Sequence, residues 1–281
     1  MAAGTFGALL WLERRRPLRR NVESKLSRGA RNLAVAIGGA IVTGLVERPV
    51  VERIARRVER ERLGLVKQVR LPIWLEVQLA VALLDYTLYL WHYLTHKVPF
   101  LWRFHVVHHV DLDMDASTAL RFHFAELIVS IPYRAAQVRL LGISPLALSA
   151  WQTLLFMSVI FHHSNLELSI EIERKLNRFV VTPRMHGIHH SIVKAESNSN
   201  WSSGFTVWDY LHGTLRRDVP QDEIVIGVPA YRESEAVTLE KIIELPFVAQ
   251  PSAWQLPEGV ERIAKESRVT RKILSGESAF A

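Results

Sequence analysis

The chain has 281 residues, of which 49% are hydrophobic, a formal net charge of +7 and no cysteine. That length suffices for one large domain or two small ones, and the missing cysteine excludes disulfides and thiolate-held metal centres. The arginines flank long apolar runs, so the basic charge suits anionic lipid head groups better than nucleic acid.

The opening MAAGTFGALLWLERRRP places its charges after a short apolar stretch, the reverse of a secretion signal. It reads as the tail of a first membrane segment, truncated or half inserted. LAVAIGGAIVTGLV (33–46) is short for a span, and its Ala34/Gly38 and Ala36/Ala40 pairs allow close helix packing in lipid. Residues 48–70 predict a charged amphipathic helix lying on the membrane surface and ending at a glycine. Segments 13–31 and 48–70 each hold eight Lys plus Arg, so the positive-inside bias does not fix the orientation. The helix from Leu71 to about His96 is long enough to cross a bilayer, yet contains Glu76 and Asp85. Acids at such depth face a partner inside the bundle. Residues 97–123 are polar and aromatic, and 125–161 predict a helical hairpin around GISP (142–145). Arg134 and Arg139 make its first arm shallow. From about 165 onward the chain has soluble character, with strand-like pieces such as EIVIGVP (223–229).

The expected fold is an all-α integral membrane protein. About three or four membrane-embedded helices form a bundle with a polar, histidine-rich cap on one face. Residues 1–70 form an N-terminal membrane and amphipathic anchor, 71–215 the membrane-embedded histidine domain, and 216–281 a soluble tail that packs on the cap.

Twelve histidines fall in a restricted part of the chain. WHYLTH carries His92 and His96 four apart; FHVVHH carries His105, His108 and His109; FHHSN carries His162 and His163; TPRMHGIHH carries His186, His189 and His190. On a helix, residues three and four apart leave from one face. The helix ending near His96 and the hairpin ending at His163 deliver all four groups to the same side of the membrane. So many neutral imidazoles with few acids suit two metal ions better than one, since each takes about four to six ligands. Nitrogen-rich sites accept Fe, Zn, Cu or Ni. No HExxH is present, which argues against a zincin-like protease. A zinc or nickel transporter is the alternative, but it would hold its ligands at mid-membrane in broken helices.

The wording of these stretches, DYTLYLWHYLTHKVPFLWRFHVVHH, STALRFHFAE, FHHSNLELS, TPRMHGIHH and SNSNWSSGFTVWDYLHGT, resembles the fatty acid hydroxylase/sterol desaturase superfamily from about Asp85 to Thr214. The resemblance implies two irons held by His92, His96, His105, His108, His109, His163, His186, His189 and His190, with no cofactor beyond metal. It implies O2-dependent hydroxylation or desaturation of a sterol-like or fatty acyl C–H bond, with ether cleavage a further option. It also implies a cytosol-facing site. The chain has no recognisable haem, flavin or iron–sulfur module, so electrons are expected from a separate cytochrome, ferredoxin or reductase. Within this pattern His163 is preferred to His162 as ligand, and His212 is a packing or surface residue. Asp85 is expected to orient a ligand imidazole, His123 to sit behind the ligands, and Asn200 and Asp209 to hold the last loop over the site. Arg103, Arg121 and Arg184 are expected near a lipid head group.

Overall fold

A computed structural model describes residues 2–255, and among them every regular element is helical, as expected from the apolar runs. Helix α1 (Ala2–Arg15) lies along α7 (Pro145–His163) and packs Leu9 with Ile160 and Leu166. Helix α2 (Lys25–Val42) continues through a π-turn (Thr43–Glu47) into α3 (Arg48–Glu61). Pro49 explains the joint: it has no N–H for the preceding turn and its ring crowds residue 45, so the helix widens just before it. The surface helix expected over 48–70 is therefore not a separate element. Its apolar stripe, Val51 and Ala55, is buried against α6 (Phe124–Leu141) and α7.

Helix α4 (Ile73–Lys97) returns toward the opposite face, packing Ala80 and Leu84 with Val138, Ile143 and Trp151. Glu76 near its start meets Lys67 at 2.6 Å, an internal partner for the first of its acids. Helices α6 and α7 form the predicted hairpin. Gly142 ends α6 at φ 81°, and the Ser144 hydroxyl caps α7 by accepting from the Ala147 N–H. Three stretches are long and apolar enough to cross a membrane: Lys25–Gln68, α4 and α7.

The remaining elements form the cap: α5 (Pro99–His109), α8 (Ile170–Leu176), α9 (Pro183–His189), α10 (Lys194–Ser197), α11 (Val207–Leu211) and α12 (Leu239–Glu244). Val228, Tyr231, Val237 and Ile242 pack on Val106, Val107 and Val110 of the cap, and Trp254 stacks on Trp102. Of the tail expected over 216–281, residues 256–281 lie outside the described residues. EIVIGVP buries Ile224, Ile226 and Val228 at alternate positions, the periodicity that suggests a strand. It finds no strand neighbour, and Ser191↔Ile226 is a lone bridge.

Basic residues near the N-terminus also depart from the lipid-facing expectation. Arg28 is fully buried, donates to Asp111 at 3.0 Å and pairs with Asp115. Arg121 is equally buried and donates to the Val107 carbonyl and the Asn32 side chain, both at 2.8 Å. The acids of DLDMD (111–115) supply the countercharge that a buried guanidinium requires.

Candidate metal centre

Four helix ends meet beneath the cap. Helix α4 contributes His92 and His96 from its last turns, and Pro99 restarts the chain as α5, which turns His105, His108 and His109 back over them. Helix α7 ends on His162 and His163, and α9 carries His186 and His189, with His190 as its C-cap. The rings sort into two quartets. His92, His96, His109 and His189 form one; His108, His163, His186 and His190 form the other; within each, the ligand atoms lie within 4.8 Å of one another. His105 stands between them, its ring 4.9 Å from His109 and 5.4 Å from His108. The His162 ring lies tilted 4.2 Å from the His186 ring, beside the second quartet rather than within it.

The donor atoms fit a metal. In the second quartet the Nε2 atoms of His108 and His163 are 3.0 Å apart, those of His163 and His186 2.9 Å, and those of His186 and His190 3.1 Å. Two ring nitrogens about 2.1 Å from a shared metal, at right angles to it, lie about 3.0 Å apart. In the first quartet the Nδ1 atoms of His92 and His189 donate to the Trp201 and Ser199 carbonyls at 2.7 and 2.8 Å. A carbonyl only accepts, so each Nε2 is left as a bare lone pair. The Nε2 atoms of His96, His109 and His189 are buried without a partner. Unpaired buried acceptors turned toward one another are costly unless a cation lies among them.

Burial drives the electrostatics. It pushes His189 down to about 3, and together with neighbouring imidazoles it holds His108, His109, His186 and His190 well below the ordinary histidine range. All five are neutral imidazoles at pH 7, the form a metal needs.

Behind the rings the partners differ from those expected. Asp85 accepts from the Phe205 N–H at 2.9 Å and the Trp208 indole at 2.7 Å, not from an imidazole. It ties the last loop to α4. The acid that does reach a ring is Glu126, whose Oε1 lies 2.7 Å from His105 Nδ1. Its signal was present in RFHFAE, on the first turn of the hairpin. His123 caps α6 and lies 3.2 Å from the Ile243 carbonyl, away from both quartets. Asn200 donates to the Met185 and Arg216 carbonyls, and Asp209 accepts from the Trp201 and Ser202 N–H groups. His212 packs on Tyr89 at 4.9 Å. Arg103 donates to the Pro246 and Val248 carbonyls, and Arg184 lies near Glu167 and Glu173. Sequence reading also missed Arg19, which donates to the Pro183 carbonyl at 2.7 Å. Its guanidinium fills the space where any side chain larger than glycine at 187 would go.

A cavity of about 220 Å³ opens between α4, α6 and α7 and ends on the metal-site histidines. Its apolar wall includes Leu88, Trp91, Leu127, Leu155 and Val159, and its inner end His92, His105, His108 and His163.

The sequence profile of the fatty acid hydroxylase family matches residues 77–214, which include every histidine of both quartets. The chain is 30% identical over 158 residues to ornithine lipid hydroxylase OlsE of Rhizobium tropici, covering 56% of this chain and 46% of that protein. It is 33% identical over 142 residues to human cholesterol 25-hydroxylase, covering 48% of each. It is 26% identical to the alkylglycerol monooxygenase of Danio rerio over 67% of this chain and 40% of that one. The matched region spans about half the length of these relatives or less. No solved structure matches the chain. The ordered histidine groups, their convergence beneath one cap and the matched profile together make this chain, through residues 77–214, a member of the fatty acid hydroxylase family.

Proposed function

We propose that the protein is a membrane-embedded di-iron oxidoreductase that hydroxylates a C–H bond of a lipid drawn from the bilayer. The observation that carries this reading is the apolar cavity between the membrane helices, closed at its inner end by rings of both quartets. A metal carrier needs a polar route for an ion, whereas the surface this cavity exposes is mostly apolar, supplied by Leu88, Trp91, Phe122, Leu127, Leu155 and Val159, with polar groups in single file along α6 and at the histidine end. The family supports lipid hydroxylation, and the matched relatives are named for a lipid, a sterol and an alkylglycerol substrate.

His92, His96, His109 and His189 would hold one iron, and His108, His163, His186 and His190 the other. His105 lies where it can reach either. Bound there, iron would supply the O2 chemistry that an unactivated C–H bond demands. The chain's own contributions are positional. The carbonyls of Ser199 and Trp201 and the Glu126 carboxylate fix which ring nitrogen carries the proton, so the other faces the metal. Leu88, Leu127, Leu155 and Val159 exclude water and hold an acyl or sterol chain against the inner end. One oxygen atom enters the C–H bond and the other leaves as water, with electrons from an external cytochrome, ferredoxin or reductase and protons from solvent. The cap then faces the compartment that holds this donor, which we take to be the cytosol.

Metal content and Mössbauer spectra of protein purified from cells grown on iron-57 test the reading. About two irons per chain in a coupled signal are expected, and His189→Ala should lose them. Stoichiometric zinc or nickel under iron-replete growth, with no iron, overturns it in favour of a metal-handling protein.

A further inference from the structure

Helix α6 carries one polar row down the wall of the cavity. Glu126, Ser130 and Arg134 are four apart and all line it. Glu126 stands at the metal end through His105, and Arg134 two turns away, about 12 Å along the helix axis. Besides the histidines and Glu126, Arg134 is the one ionisable group among the residues lining the cavity.

Its surroundings hold the guanidinium in place and leave part of it free. The Nη1 group donates to Gln137 Oε1 at 2.8 Å, and the guanidinium carbon sits 4.5 Å over the Trp151 ring. The Nε atom is 3.9 Å from Glu47 Oε1, close enough to balance the charge but too far for a hydrogen bond. The Nη2 amino group has no acceptor among the described residues, and it is not among the side-chain atoms sealed from solvent. A donor left without an acceptor, on a residue that lines a largely apolar wall, is an incomplete hydrogen bond.

From this geometry we propose that Arg134 is a specificity-determining residue that binds an uncharged acceptor oxygen of the substrate. The substrate is then a neutral lipid bearing a hydroxyl or ester carbonyl, with the attacked C–H bond at a fixed distance from it, toward the histidine end of the cavity. Glu47 decides between neutral and anionic partners. Arg134 and Glu47 already sum to zero, and both side chains are more than four-fifths buried. A carboxylate there would bring an uncompensated negative charge into a poorly solvated site beside Glu47, whereas a neutral oxygen completes the hydrogen bond at no such cost. The inference rests on the hydroxylase reading for the position of attack, but the binding preference stands apart from it.

The test uses the full-length, metal-loaded protein in lipid nanodiscs. A long-chain alcohol with a terminal diazirine is photo-crosslinked to the cavity, and matched alkanol, methyl ester, carboxylate and alkane compete for it. Alkanol and ester should compete about tenfold or more better than alkane, the value of one charge-assisted hydrogen bond. That preference should vanish in Arg134→Leu and survive in part in Arg134→Gln, which keeps a donor. Both variants must retain wild-type iron content to count as folded. In turnover, the product oxygen should sit at one fixed distance from the original oxygen in wild type and spread over several carbons in Arg134→Leu. Equal competition by alkane and alkanol, or an unchanged preference in Arg134→Leu, overturns the proposal. Carboxylate competing best overturns the neutral class. The expected preference without any oxidised product leaves Arg134 as the lipid-anchoring residue and overturns the hydroxylase reading instead.

Discussion

Glu126 lies 2.7 Å from His105 Nδ1 and is the one carboxylate that reaches a histidine ring among the described residues. Such partners orient a ligand and strengthen its donor nitrogen. Glu126→Ala should therefore weaken metal retention by about 10–100-fold in competition with a chelator, while Glu126→Gln, which can still accept from Nδ1, should lose less. Unchanged retention in Glu126→Ala would remove it from any role at the site. The histidines themselves were legible in the sequence because their spacing matches a helix face. Their partners were not, because most are backbone carbonyls, which carry no sequence signal. Asp85 illustrates the limit: a buried acid seven residues before His92 looks like a ring partner, yet a nearby loop N–H and an indole claim it.

At the scale of elements, length and hydropathy revealed α4 and α7 as candidate spans and the return of the chain through α6 and α7, because lipid permits little besides satisfied helices, but read 33–46 as too short where Lys25–Gln68 is long enough. They did not reveal that α2 and α3 are joined, because Pro49 usually marks a break and here only widens the turn. They also overread EIVIGVP, whose alternation reflects burial in a groove rather than pairing. The far corner of the bundle depends on two glycines, Gly64 and Gly142, packed against each other with φ of 86° and 81°. An added Cβ at Gly142 would lie 2.8 Å from the Leu63 carbonyl, besides straining a left-handed residue. Gly142→Ala should destabilise the protein by roughly 1–3 kcal/mol, seen as a lower unfolding temperature in detergent with iron content per folded chain unchanged. A variant as stable as wild type would mean that the α3–α6 junction can relax.

For the whole molecule, a cap of buried neutral imidazoles makes stability depend on both metal and pH. Removing the metal with a chelator should lower the unfolding temperature, and readdition should restore it, since a ligand that binds only the folded state stabilises it by mass action. In the metal-free protein the sign of the pH effect follows from burial. Burial pushes His189 down to about 3 in the folded chain from the ordinary 6.5, and His108, His109, His186 and His190 are displaced the same way. The unfolded chain therefore takes up protons first, and stability should fall as pH drops from about 6.5 toward about 3. A flat stability profile across that window would show that the cap admits water or protons. The whole-molecule design also places an unusual demand on one short segment. The carbonyls of residues 199, 201 and 203 serve α9, α4 and α7 in turn, accepting from the His189 ring, the His92 ring and the Ser158 hydroxyl. Because the service comes from main-chain oxygens at alternate positions, side chains there are comparatively free to vary while the count of residues is not. Inserting or deleting one residue would shift the register of all three props at once, so this stretch should drift in spelling but keep its length.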